Sequence, residues 1–277
     1  MNPPKFTPAD VIAARRELAS QSLAAFVKMA WHVIEPGQPY VHGRHIDVMC
    51  EHLEAVERGE IRRLPLNVPP GAMKSLLCGV MFPMWIWGPC GRPSSRFVGV
   101  SHEQTLGIRD NLKARRLASS SWFQNTWGKE VVLTKDQNAK INFENTATGF
   151  RQVATPSNIT GRRGDFVICD DLLSAENANS EAERERVNLW YRESLPTRLN
   201  NPDTSSIINV MQRLHERDVS GVILAEELGY EHVMLPMRYE PDRVIYTSLG
   251  RVDWRTDPGE LLFPERFSEE TVTELER

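Results

Sequence analysis

Apolar and polar positions along this chain alternate between two periods. Residues 45–58 repeat apolar side chains at helical spacing (Ile46, Met49, Leu53, Val56), and Gly59 follows as a stop. Thr7-Pro8-Ala9-Asp10 reads as a capped helix start, and the spacing predicts one helical segment from there to about Ile34, closed by Pro36-Gly37-Gln38-Pro39. Apolar runs of strand length occupy residues 64–68, 96–100, 166–169 and 205–211, and helical runs at 76–87, 103–117 and 181–195 lie among them. Residues 131–133, 139–144 and 149–154 read as shorter strands. In the second of these, Ile141 and Phe143 alternate with Asn142 and Glu144, the half-buried pattern. Alternating strands and helices predict an α/β fold with a mostly parallel sheet covered on both faces. Past residue 213 the pattern changes to a helical run at 214–229, one more strand at 232–237 and a turn-rich stretch with Pro241, Pro258 and Pro264. This predicts a subdomain boundary near residue 213.

Composition narrows the picture. A chain of 277 residues holds one large domain or a core with a small subdomain. A net charge of -4 excludes a globally basic nucleic-acid binder, so any DNA contact is local. Arg109, Lys113, Arg115 and Arg116 on the helical run after residue 100 are candidates, with Arg109, Lys113 and Arg116 near one face. Cys50, Cys78, Cys90 and Cys169 have no C-x-x-C or zinc spacing, which fits a reducing compartment without disulfides. The most apolar run, residues 76–87, is too short to span a bilayer, and Pro83 predicts a kink or end near Met84-Trp85. No basic and apolar leader is evident at the start of the chain.

The candidate chemistry lies at strand ends. After the run at 64–68, the chain reads Pro69-Pro70-Gly71-Ala72-Met73-Lys74-Ser75-Leu76 and enters a helix. Strand, tight loop, Lys-Ser and helix is how a phosphate site is built. Backbone N–H groups and the helix N-terminus face the phosphates, the Lys reaches the outer ones, and the Ser hydroxyl binds Mg²⁺. Both glycine positions of the usual pattern are replaced, by Val68 and Met73, and a Pro-Pro-Gly turn is also ordinary loop chemistry. Residues 166–169 end in Asp170 and Asp171. The first acid after such a strand holds Mg²⁺, and the second is placed to polarise an attacking water. A capped turn explains the same pair. Gln212-Arg213 follow the run at 205–211, at the kind of strand end where α/β sheets bind ligands. There Gln212 is either a γ-phosphate contact or a solvated strand end.

Taken together, the residues resemble the ATPase half of the large terminase subunit of tailed bacteriophages, the motor that packages DNA into procapsids. The resemblance rests on Val68 to Leu77, Thr160-Gly161-Arg162-Arg163-Gly164-Asp165, Asp170-Asp171, Trp190-Tyr191, residues 195–200 and Met211-Gln212-Arg213-Leu214-His215. It implies an additional-strand phosphate-loop ATPase with a lid subdomain. That divides the chain into an N-terminal helical arm at 1–40, a nucleotide-binding core at 41–213 and a lid at 214–277. It implies ATP and Mg²⁺ as cofactors, with Pro70 to Leu76 cradling the phosphates, and Ser75 and Asp170 on the metal. Asp171 falls where many relatives have a catalytic Glu, and Glu176 is the alternative. Arg162 or Arg163 would act in trans on a neighbouring subunit's ATP, Gln212 would couple the γ-phosphate to subdomain movement, and Tyr40 and His42 would contact adenine. Implied partners are double-stranded DNA, the portal protein, the small terminase subunit and neighbouring large subunits, in the host cytoplasm and away from membranes. The nuclease domain usual in the family is not expected within this chain. A helicase-like ATPase and a nucleotide-binding assembly module with little turnover are the other readings.

Overall fold

The structure is a computed structural model and describes residues 7–276. The N-terminal arm is two helices, α1 (Pro8–Gln21) and α2 (Leu23–Ile34). Thr7 caps α1 reciprocally with Asp10 as the spacing predicts. The single helix expected to Ile34 is broken at Ser22, whose extended backbone ends α1 and whose hydroxyl accepts from the Ala25 N–H. A serine hydroxyl competes for nearby N–H groups, which favours a cap over a helix interior. Residues 1–6 of the expected arm lie outside the described residues. Helix α3 (Arg44–Glu57) buries the Ile46, Met49, Leu53 and Val56 stripe.

The core follows as β1 (Arg63–Asn67), α4 (Lys74–Leu76), a π-turn (Leu77–Met81), α5 (Phe82–Trp87), β2 (Phe97–Ser101), α6 (Gln104–Ser119), α7 (Ser121–Trp127), β3 (Leu133–Asn138), β4 (Asn142–Asn145), β5 (Phe150–Ala154), β6 (Phe166–Asp170), α8 (Glu181–Glu193) and β7 (Ser206–Met211). The C-terminal part holds α9 (Val219–Ala225), β8 (Val233–Met234), a small pair β9 (Tyr246–Thr247) and β10 (Gly250–Arg251), and α10 (Glu269–Leu275).

Eight strands form one mixed sheet in the order β3-β4-β5-β2-β6-β7-β1-β8. The pairs β3/β4 and β4/β5 are antiparallel, and every other neighbour is parallel. Strand β7 sits between β1 and β6, and all six of its residues are buried, as a central parallel strand requires. Alternate residues feed two cores. Phe166 and Ile168 pack with α2, α3, α5 and α6, while Val167 and Cys169 pack with α8 and α9 on the other face.

Pro83 does not end its helix, which runs on to Trp87 after a π-turn. Proline has no N–H to give the carbonyl four residues back, here Gly79. The chain answers with the π-turn, where the Phe82 N–H donates to the Leu77 carbonyl. The freed Gly79 carbonyl accepts from the guanidinium of Arg151, a buried residue of β5 that also donates to Asn111 Oδ1. Burial pushes the Arg151 guanidinium down to about 10, and the Asp110 and Asp170 charges work against that fall.

Two C-terminal expectations change. Residues 214–218 are not helical, because the buried Asp218 carboxylate accepts from the Leu214 and His215 N–H groups and from Arg213, and so starts α9 only at Val219. Beyond residue 213, β8 pairs with β1, so the sheet itself crosses the expected boundary. The turn-rich tail is gathered by Arg255, fully buried, which donates to the carbonyls of Pro236, Met237 and Glu260 and to the Asp253 carboxylate.

Candidate active site

Strand β1 ends at Asn67, and the chain turns through residues 68–73 into α4. Two residues of this loop are left-handed, Gly71 at φ 80° and Met73 at φ 65°. Met73 holds the place of the second glycine in the usual phosphate-loop pattern, so the backbone keeps the glycine conformation without the glycine. Val68 needs no such freedom. The turn puts Lys74 and Ser75 first in the helix, where free N–H groups and the helix dipole favour an anion.

The last residue of β6, Asp170, and the one after it, Asp171, both meet this loop. Ser75 Oγ donates to Asp170 Oδ1 at 2.9 Å. The Lys74 ammonium, 7% exposed, lies 4.0 Å from Asp171 Oδ2. Asp171 is pinned at the junction of three strands. Its N–H donates to the Val210 carbonyl at 2.9 Å, its Oδ1 accepts from the Gln212 N–H at 3.3 Å, and its carbonyl accepts from the His102 N–H at 3.3 Å. Burial, then the Asp171 and Asp110 charges, push the Asp170 carboxyl up to about 7, against the Ser75 hydrogen bond and Lys74.

A cavity of about 680 Å³ opens over the loop. Gly71, Met73, Lys74, Ser75 and Leu76 line it from the loop side. Trp31, Glu35, Gln38, Pro39 and Val41 line it from α2 and the segment that follows. Helix α6 adds Arg109, Asp110 and Lys113, and the C-terminal tail adds Arg266. The tail also touches the loop itself, since a Cβ on Gly71 would stand 2.7 Å from Phe267 Cζ.

Several expected residues fall elsewhere. Pro70 is exposed and Ala72 is buried in the core, and neither lines the cavity. Tyr40 and His42 are also absent from its lining. Pro39 and Val41 line the cavity, while Tyr40 and His42, which alternate with them in the chain, do not. Tyr40 Oη bonds His42 Nδ1 at 3.0 Å, and His42 Nε2 meets Asp47 at 2.9 Å, which braces the segment. Gln212 reaches the site through its backbone N–H. Arg162 donates to Asn158, and Arg163 is exposed with no ion pair or hydrogen bond among the described residues. Both precede Gly164 and Asp165, which bond Arg198 and Arg96 at the opposite edge of the sheet, so the whole of β6 separates them from Asp170. Glu176 is exposed beyond the strand and does not line the cavity. Arg109 and Lys113, expected on a DNA face, line this cavity, because α6 starts at the C-terminal edge of β2 beside the loop.

Sequence reasoning passed over Trp31, Gln38, Asp110 and Arg266. It also passed over Asn67, whose amide donates to the Met211 carbonyl at 3.1 Å and to Ser220 Oγ at 3.0 Å, and whose Oδ1 meets His232 at 2.7 Å. This buried amide ties the root of the loop to the segment after β7. Burial, then Arg213, hold the His232 imidazole down to about 4, so it is neutral.

No protein-family model and no curated protein matches the chain. Among solved structures, the large terminase of bacteriophage HK97 superposes with a TM-score of 0.55 at 10% identity, over 81% of this chain. The fold is that of the matched part of the HK97 large terminase. This chain spans 45% of the length of that protein. The Thermus phage P74-26 large terminase ATPase domain, in a mutant form, aligns with a TM-score of 0.36 at 15% identity, over 66% of this chain and 69% of that one. In the terminase fold of this chain, the interposed β7 carries the additional-strand arrangement, with Lys74-Ser75 on one side of it and Asp170-Asp171 on the other.

The donor set fits Mg²⁺. A hydroxyl and a carboxylate stand side by side at a helix start, and Asp170, Asp171 and Asp110 concentrate negative charge there. No cluster of three or more His, Cys, Asp or Glu suited to a metal occurs among the described residues. Mg²⁺ needs none, because it binds through one or two carboxylates together with substrate phosphates and water.

Proposed function

We propose that this chain is the ATPase motor domain of a phage large terminase, hydrolysing ATP to drive double-stranded DNA into a procapsid. One observation carries the reading: Lys74 and Ser75, first in the helix after a left-handed turn, face Asp171 and Asp170 across the additional strand. Lys74 takes the charge of the outer phosphates. Ser75 and Asp170 would hold Mg²⁺, which would supply positive charge against that developing on the phosphate oxygens. Asp171 orients and deprotonates the attacking water. Its backbone N–H is anchored on the Val210 carbonyl, and its shorter side chain accepts from the Gln212 N–H. Gln212, on the same segment as Asp218 and tied through Asn67, carries the change at the γ-phosphate to the C-terminal part. Trp31, Gln38, Pro39 and Val41 hold the base.

Arg162 and Arg163, remote from their own chain's site, serve a neighbouring subunit, so an isolated chain is a slow enzyme. DNA, the portal, the small terminase subunit and adjacent large subunits are the partners, in the host cytoplasm. The test is steady-state ATP hydrolysis by the purified chain, alone and with duplex DNA, beside Lys74→Ala. Mg²⁺-dependent turnover that K74A abolishes is the expected result. Nucleotide binding without turnover under every condition would favour an assembly module, and unchanged turnover in folded K74A would remove the site.

A further inference from the structure

The phosphate loop of this chain has one cation, Lys74, and no arginine between Val68 and Ser75. A triphosphate brings more negative charge than one ammonium balances, and α6 supplies another cation. We propose that Arg109 is a phosphate-contacting residue that each chain supplies to its own nucleotide, with Asp110 steadying its guanidinium over the outermost phosphate.

Arg109 lines the same cavity as Lys74 and Ser75. Its Nε donates to Asp110 Oδ1 at 2.9 Å, and Asp110 is 5% exposed, so the guanidinium hangs from a buried post. The side chain itself is 52% exposed, and its two Nη groups make no hydrogen bond among the described residues. They are therefore free to meet phosphate oxygens as a planar fork, which an ammonium cannot do. The hydrogen bond to Asp110, with the fields of Asp110, Asp170 and Asp171, raises its pKa further against burial, so the charge stays in place. Those last two acids mark the metal and water side of the site, which is the side of the terminal phosphate. Lys113, one turn further along α6, is committed to an ion pair with Glu35. Arg162 and Arg163 lie across the sheet, so the two arginine positions do not compete for one role.

The assignment rests on the ATP-binding reading above. Its test is equilibrium binding of a non-hydrolysable Mg-ATP analogue and of Mg-ADP to wild type, Arg109→Ala and Arg109→Lys, with duplex DNA binding measured on the same samples. R109A is expected to lose about tenfold in affinity for the analogue and to keep ADP affinity within about twofold, with R109K between. Equal losses for both nucleotides, or no loss, would overturn the assignment. So would a loss confined to DNA. A wild-type chain that binds neither nucleotide overturns the ATP-binding reading and this assignment with it. Normal wild-type binding beside an unchanged R109A overturns this assignment alone.

Discussion

Ser75 Oγ stands 2.9 Å from Asp170 Oδ1, although 95 residues separate them in the chain. They meet because β1 and β6 run parallel and end at the same edge of the sheet, one strand apart. A hydroxyl and a carboxylate so placed can share one cation, as proposed above. Ser75→Ala and Asp170→Asn should each raise the Mg²⁺ concentration needed for nucleotide binding by at least about tenfold, while metal-free ADP binding changes little. Titration of Mg²⁺ at fixed nucleotide measures this, and an unshifted midpoint in D170N would remove Asp170 from the metal.

The raised Asp170 carboxyl gives a signed pH dependence. Between its ordinary value of 3.8 and about 7, the folded chain holds a proton that the unfolded chain has lost. Stability without metal should therefore fall as pH rises through that window, and D170N should flatten this limb. Mg-nucleotide affinity should move the opposite way and rise through about pH 7 as the carboxylate forms. Melting temperatures in chelator across pH, for both proteins, check the first statement. A wild-type slope equal to that of D170N would contradict it.

His45 predicts the acid limb. It is fully buried, it packs on Phe263 with ring centroids 4.5 Å apart, and neither ring nitrogen completes a hydrogen bond, the backbone of Ala72 approaching without closing one. Burial first, then the charge of His42, lower its pKa from 6.5 to about 4. The stability tied to the neutral ring is complete above 6.5 and is lost as pH falls toward 4, at most on the order of 3 kcal/mol. His45→Phe should remove that part of the acid sensitivity while His232 and His52 keep the rest. Denaturant midpoints at neutral and acid pH will show whether the wild-type loss exceeds that of H45F.

Asp171→Asn should bind Mg-ATP normally and hydrolyse it about a hundredfold more slowly, since an amide cannot take the proton of the attacking water. Asp171→Glu should retain turnover, because Lys74 lies 4.0 Å away and leaves room for one methylene. Normal turnover in D171N would move the role to another acid.

Met73 sits at φ 65°, which costs a residue with a Cβ about 1–2 kcal/mol. Met73→Ala keeps that cost and Met73→Gly removes it, offset by about 0.5–1 kcal/mol of added chain entropy. M73G should therefore be more stable than M73A. Thermal unfolding of the two variants decides, and the reverse order would mean that the left-handed turn is not strained.

The strands of the parallel core were legible because buried parallel strands need near-continuous apolar runs, and 64–68, 166–169 and 205–211 have them. Lys74, Ser75, Asp170 and Asp171 were legible because their chemistry follows directly on those runs. The break at Ser22 was hidden inside a helix-like pattern that only a cap interrupts. The loop before α9 was hidden because its ordering comes from one carboxylate, Asp218, collecting N–H groups. Tyr40 and His42 came from the resemblance, by their distance before the loop, whereas their neighbours Pro39 and Val41 line the cavity. Arg109 looked like a surface charge because sequence does not reveal which way the first turns of α6 face. Arg266 lies in a tail without periodicity and offered no signal.

The bond from Arg151 to the Gly79 carbonyl has a consequence for descent. Arg151 supplies the donor that Pro83 lacks, so the two residues answer one need from opposite sides of the core. A relative with any other residue at the position of Pro83 can close that bond with its own N–H, which leaves a buried arginine on β5 with one partner fewer, Asn111 Oδ1 alone. The two positions should therefore be inherited and lost together.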